Sequence, residues 1–200
     1  EAGFGAMESM SELESGFVFS GILNPALITR KELAVKAEIR SGSYRDVRWF
    51  QVQLNPGWIT LDSNEVEISV AENGRLGFAD LAGYLGSGIR YKGIQMSSDA
   101  GLMLGTGPAR VSNCVFSGPS NDAHFKAENR PAFSSWPELS QHAFFHFNDS
   151  LAGATANGIG IKQSVYESTA DSLRSVLFIS YQLSNRNAGA IDSICAGMYN

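Results

Sequence analysis

From Leu33 the chain alternates strictly. Leu33, Val35, Ala37 and Ile39 are apolar, and Lys36, Glu38 and Arg40 between them are charged. Successive side chains of a strand point to opposite faces, so this pattern predicts a half-buried antiparallel strand. Ser41-Gly42-Ser43 supplies a turn, and alternation resumes from Val47 to Leu54, where Trp49 and Phe50 are both large. Asn55-Pro56-Gly57 is the sharpest turn signal of the chain. Trp58 to Leu61 and Val66 to Val70 read as two more short strands. With Phe17-Val18-Phe19 at its start, the range 16–71 predicts a small β-sandwich of the immunoglobulin or fibronectin type, its core holding Trp49 and Trp58. Ahead of it Ala6, Met7, Met10 and Leu13 recur near one helical face and Gly16 is a natural stop, which predicts a short N-terminal helix or linker over 1–15.

Beyond Glu72 the pattern changes. Glycine recurs between short apolar or alternating runs, a sign of strands joined by tight turns. Strands are expected near 75–79, 87–96, 101–106, 110–116, 143–147, 157–166, 175–184 and 191–198. Together they predict a second, larger antiparallel β-sandwich over 72–200, truncated at its C-terminal side. The run from Ile191 to Tyr199 is expected to pair with the strong apolar strand from Val176 to Leu183, and so to bury Ile194 and Cys195. Residues 117–141 are the least regular, broken by Gly118-Pro119, Arg130-Pro131 and Trp136-Pro137. The fold class is therefore all-β, with the predicted boundary between the two units falling between Leu61 and Gly74.

Composition narrows the classes of function. Of 200 residues, 44% are hydrophobic and 18% charged, which supports a packed core and excludes wholesale disorder. The formal charge of −5, with no basic cluster, argues against a nucleic-acid surface. No apolar run approaches the ~20 residues that a helix needs to span a bilayer. The chain opens on Glu1 without an initiator Met and stops just after the Ile191–Tyr199 run, so we expect a piece of a longer protein. Cys114 and Cys195 each sit in an apolar run. They read either as two buried thiols or as one long-range disulfide of an exported protein, and spacing does not choose between these.

Chemistry is sparse. No Gly-x-Ser-x-Gly elbow occurs, and none of His124, His142 and His146 sits in a triad context. His142 and His146 share a face whether the segment is helix or strand, and zinc would need His124 or Asp149 as a third ligand. Structural histidines are the simpler reading. Asn121-Asp122 and Asn148-Asp149 are the acid–amide pairs open to calcium, but without an Asp-x-Asp-x-Asp series they read as turn formers. Asn148-Asp149-Ser150 also fits a glycosylation sequon. The glycines from Gly101 to Gly107 lack the following Lys and Ser or Thr of a phosphate cradle, and suit tight strand packing instead. Trp136, Tyr84 and Tyr91 are aromatic candidates for stacking on sugar, and Trp136 is the one placed for a surface role. No catalytic, cofactor-binding or metal-binding residue is assigned, and no cofactor is expected.

The order Asn73-Gly74-Arg75-Leu76-Gly77-Phe78, then Gly88-Ile89-Arg90-Tyr91, then Asp99 through Asn113 resembles a module of large exported proteins of Bacteroidetes-type bacteria. It is similar to the region downstream of the catalytic domain in some of their subtilisin-like serine peptidases. The resemblance covers about 64–200, and Gly3 to Met10 also resembles the terminal helix of such a catalytic domain. It implies a secreted or cell-surface location and a catalytic domain of the same parent chain as partner. It carries over no catalytic residue, because the Gly-Thr-Ser-Met-Ala and His-Gly-Thr motifs of that family are absent here. The leading expectation is a non-catalytic accessory β region. The rivals are an adhesion or glycan-binding module using the loop 117–141, and a metal-dependent hydrolase using His124, His142 and His146.

Overall fold

The computed structural model describes residues 31–54, 56–117, 120–134 and 140–200. The helix expected over 1–15, the strand at Phe17-Val18-Phe19 and the loop around Trp136 lie outside these residues.

The alternating stretch forms the predicted strands. β1 (Lys31–Ser41) and β2 (Tyr44–Leu54) pair antiparallel in register, Val35 opposite Phe50, Ala37 opposite Arg48 and Ile39 opposite Asp46. Residues directly opposite share a face, so one face of this ribbon carries Val35, Ile39 and Phe50. No described residue covers that face: the three side chains are 39%, 50% and 54% exposed, and Trp49 on the other face is 66% exposed. The ribbon is a two-stranded sheet of its own.

The remaining strands are β3 (Trp58–Leu61), β4 (Val66–Ala71), β5 (Leu76–Gly77), β6 (Ile89–Tyr91), β7 (Ile94–Ser97), β8 (Asp99–Gly107) and β9 (Arg110–Asn113). Then come β10 (Phe116–Ser117), β11 (Ser120–Asn121), β12 (Lys126–Ala127), β13 (Ala132–Phe133), β14 (Gln141–Asn148), β15 (Ile159–Glu167), β16 (Leu177–Asn185) and β17 (Cys195–Tyr199). An eight-stranded sheet runs β17-β8-β5-β4-β6-β7, with β3 on β4 and β9 on β8. A five-stranded sheet runs β12-β14-β15-β16, with β13 on β14. The first contributes Leu61, Ile68, Val70, Leu76, Leu102 and Leu104 to the core, and the second Phe145, Phe147, Ile159, Ile161 and Val165. Two antiparallel sheets face each other across one core, a β-sandwich fold.

Three expectations need correction. The small sandwich over 16–71 does not form from the described part of that range. β3 and β4 leave the ribbon and join the larger sheet, because Leu61, Ile68 and Val70 find their cover in Phe145 and Phe147. The expected boundary between Leu61 and Gly74 falls inside this sheet, at the tight turn where Ala71 N donates to Arg75 O at 2.8 Å. Gly74 makes that turn with a φ of +82°, and a Cβ there would come within 2.3 Å of the Phe147 ring. The change of sheet comes earlier, at Pro56-Gly57. With the first core gone, Trp49 is exposed and Trp58 half-buried.

The stretch 87–96 is not one strand but the β6–β7 hairpin, turned at Lys92-Gly93, whose φ angles are +49° and +78°. Nor does the last run pair with β16. β17 pairs with β8, Cys195 opposite Gly105 and Tyr199 opposite Gly101. The side chains of Asn185 and Asn187 redirect the chain: Asn185 Nδ2 donates to Gly189 O at 2.8 Å, and Asn187 Nδ2 to Asn157 O at 2.8 Å. Ile191 packs on the core, whereas Ile194 and Cys195 are exposed. Both cysteines are free, and Cys114 is buried.

Candidate functional site

The polar side chains gather in separate places, and most of them serve the backbone. Arg75 is 2% exposed. Its Nε donates to the Cys114 carbonyl and its Nη2 to Asp122 O at 3.2 Å, and its guanidinium lies over the Phe116 ring. Asp99 accepts from Phe116 N at 2.6 Å with Oδ2, and its Oδ1 stands 3.8 Å from Arg75 Nε. Burial raises the Asp99 carboxyl, against the opposing pull of the Phe116 N–H and Arg75. Burial also pushes the Cys114 thiol up to about 12, which leaves it without nucleophilic character at neutral pH.

The three histidines do not converge. His142 and His146 do share the outer face of β14, as the strand period requires. His142 is stacked on Tyr166 at 4.5 Å between centroids, and its Nδ1 is 2.6 Å from Ser134 Oγ across the β13–β14 pair. Burial lowers its pKa, which favours the neutral imidazole. His124 Nδ1 instead accepts from Asn113 N at 3.2 Å. Among the described residues no three His, Cys, Asp or Glu side chains are placed to hold a metal ion. The set His124, His142 and His146 is thus not brought together. The Ser134–His142 contact was invisible in the sequence, since it depends on the cross-strand register.

Of the acid–amide pairs, Asn148-Asp149 precedes a short helical turn, whereas Asn121 ends β11 and Asp122 bonds a side chain nine residues away. Asn148 Oδ1 accepts from Ser150 N at 2.9 Å, and Asp122 Oδ2 accepts from Asn113 Nδ2 at 3.0 Å. Asp149 is 1% exposed and fully engaged. Its Oδ1 accepts from Ile159 N at 2.9 Å, and its Oδ2 from Asn157 N and from Ser112 Oγ at 3.2 Å. The glycines of β8 belong to a strand, and Gly101 stands against Val115 and Cys114 so closely that a Cβ would lie 3.0 Å from the valine. Tyr84 is 86% exposed, while Tyr91 is half-buried and donates to Glu65 Oε2 at 3.3 Å.

A third buried carboxylate ties the two sheets at one end. Glu167 Oε2 accepts from Ser63 N at 2.8 Å and Ser63 Oγ at 2.9 Å, and burial raises its pKa. On the surface, Glu128 and Arg186 form a two-pronged ion pair, with Nη2 to Oε2 at 2.6 Å. The hydrogen bonds from Arg186 hold the Glu128 carboxyl down to about 2.

One open polar site lies over Asn157. There β8, β9 and the segment after β16 border an open, solvent-facing cavity of about 360 Å³. Its floor is Asn157, 3% exposed, whose Oδ1 accepts from Thr106 Oγ1 at 2.7 Å and whose Nδ2 donates to Ser112 Oγ at 3.2 Å. Arg110, Asn187, Asp192 and Ser193 form the walls. Gly158, at φ +72°, brings Asn187 close: a Cβ there would lie 2.2 Å from Asn187 Oδ1. This site drew no sequence signal, because its residues come from three separate stretches. No family model matches the chain, and neither a curated protein nor a solved structure matches it.

Proposed function

We propose that the chain is a non-catalytic accessory β region of a secreted or cell-surface bacterial protein, and that its β1–β2 ribbon docks on a catalytic domain of the same parent chain. The observation that carries this reading is the ribbon itself. An isolated two-stranded ribbon has little stability in water, and this one exposes Val35, Ile39, Trp49 and Phe50. Such a surface calls for a partner. The resemblance of the 64–200 region to the part downstream of subtilisin-like catalytic domains supplies the identity of that partner and the exported setting.

The test compares hydrogen exchange of the chain alone with that of a longer chain carrying the neighbouring reading frame. Slower exchange at ribbon amides in the longer chain is the expected result. Unchanged exchange there, or stoichiometric labelling of a serine of the 200-residue chain by a fluorophosphonate probe, defeats the reading.

A further inference from the structure

We infer that the cavity above Asn157 is a binding site for a zwitterionic α-amino acid or short peptide, independent of the docking role of the ribbon. The first ground is charge. Arg110 and Asp192 both line the cavity. Among the described residues neither forms an ion pair, with the other or with any further side chain, whereas Arg186 nearby is paired with Glu128. Arg110 spends one N–H on the Ala156 carbonyl. A guanidinium has five N–H donors in a rigid fork that fits a carboxylate, so the remaining ones suit a ligand carboxylate. Asp192 is exposed and has no cationic partner among the described residues, so its carboxylate is free to accept from a ligand ammonium.

The second ground is preorganisation. Asn157 is fixed by Thr106, Ser112 and Asp149, and Asn187 is fixed on the Asn157 carbonyl and by Asn185 Oδ1, which accepts from Asn187 N at 2.9 Å. These contacts hold the floor and one wall in place before any ligand arrives, which reduces the ordering cost of binding. The third ground is what the cavity lacks. No aromatic side chain lines it, so it offers no ring for a sugar to stack on. About 360 Å³ accommodates a molecule the size of an amino acid or dipeptide, and the Thr106 hydroxyl, its proton committed to Asn157, can still accept from a ligand N–H.

The experiment is a titration of the isotope-labelled 200-residue chain, followed by amide chemical shifts, with L-alanine and with L-alanyl-L-alanine. The N-acetylated and C-amidated forms of each serve as charge-capped controls. Saturable shifts confined to the amides of Thr106, Gly158, Gly189 and Ser193 are expected, and the stronger of the two probes tells amino acid from peptide. Removing either ligand charge, or making Arg110→Gln or Asp192→Asn, should weaken binding at least tenfold. Both side chains are exposed, so thermal melts of the variants should match the parent, and a variant that melts early is replaced by Arg110→Lys or Asp192→Ser. No saturable shift with either probe, or binding that ignores the capping groups, overturns the proposal.

Discussion

The guanidinium carbon of Arg75 lies 4.0 Å from the centroid of the Phe116 ring, while Asp99 holds the backbone N–H of the same phenylalanine. One buried cation and one buried anion thus clamp a single residue from two sides. Desolvating both charges is costly, and their mutual attraction repays it only because each also binds backbone groups.

Arg75→Ala should therefore destabilise the fold by about 3–5 kcal/mol, the range for breaking a buried pair by removing one partner. Urea denaturation monitored by tryptophan fluorescence gives the number. Arg75→Lys should recover only part of the loss, because an ammonium lacks the fork that reaches Cys114 O and Asp122 O together. A loss under about 1 kcal/mol for Arg75→Ala would show the clamp to be decorative.

The two thiols should behave differently. Cys195 is exposed, and Cys114 is buried with its pKa pushed up to about 12. A thiol-reactive disulfide reagent at pH 8 should label one cysteine in the native chain and two in denaturant. Mass spectrometry after labelling assigns the native site to Cys195. No label in either state without a reductant would establish a disulfide instead.

The Glu128–Arg186 pair predicts a pH dependence. The folded carboxyl is held below its ordinary value, so its stabilisation is present above the unfolded pKa and lost as pH falls through the folded one. Glu128→Gln should lower stability by about 0.5–1 kcal/mol at pH 7, as expected of a well-formed surface pair. The difference from the parent should shrink between about pH 4.5 and about pH 2. Denaturant midpoints of both proteins across that range provide the check.

Glu167 predicts the opposite sign. Its folded pKa is raised by burial, so the stability it contributes is full at low pH and declines as pH rises through the raised value. Glu167→Gln keeps an oxygen for Ser63 and removes the buried charge. Its stability relative to the parent should improve as pH rises above the ordinary carboxylate range. A difference that stays flat from pH 4 to pH 8 would contradict this.

Deleting residues up to 55 should leave a sandwich that still melts cooperatively, because among the described residues Val35, Ile39 and Phe50 belong to no shared core. Calorimetry of a 56–200 chain decides it, and a melt lowered by more than about 10 °C would mean that the ribbon supports the sandwich.

The sequence makes the all-β class legible, since alternation and glycine punctuation are local signals. It also shows β1 and β2 residue by residue. It does not tell what covers them: Val35 and Ile39 have the pattern of a buried face and are exposed. Alternation reports that one face is apolar, not that a partner sheet lies within the chain. The sheet that β3 and β4 join was hidden for a related reason. Leu61 and Val70 read alike whether they meet a small core or Phe145 and Phe147. The cavity above Asn157 was the least legible feature, because Thr106, Arg110, Asn157 and Asp192 meet through topology alone.

The pairing of β17 with β8 has a consequence for the chain as it is made. β8 leaves the ribosome long before residues 195–199 exist, and until then the edge that β17 covers presents open N–H and C=O groups. Pairing across such a separation is intrinsically slow. Two nascent chains on neighbouring ribosomes would meet in that interval with identical open edges, and each could seat its strand on the other. The time between the appearance of Gly101 and that of Tyr199 is thus the interval in which this edge of the sheet stays unpaired.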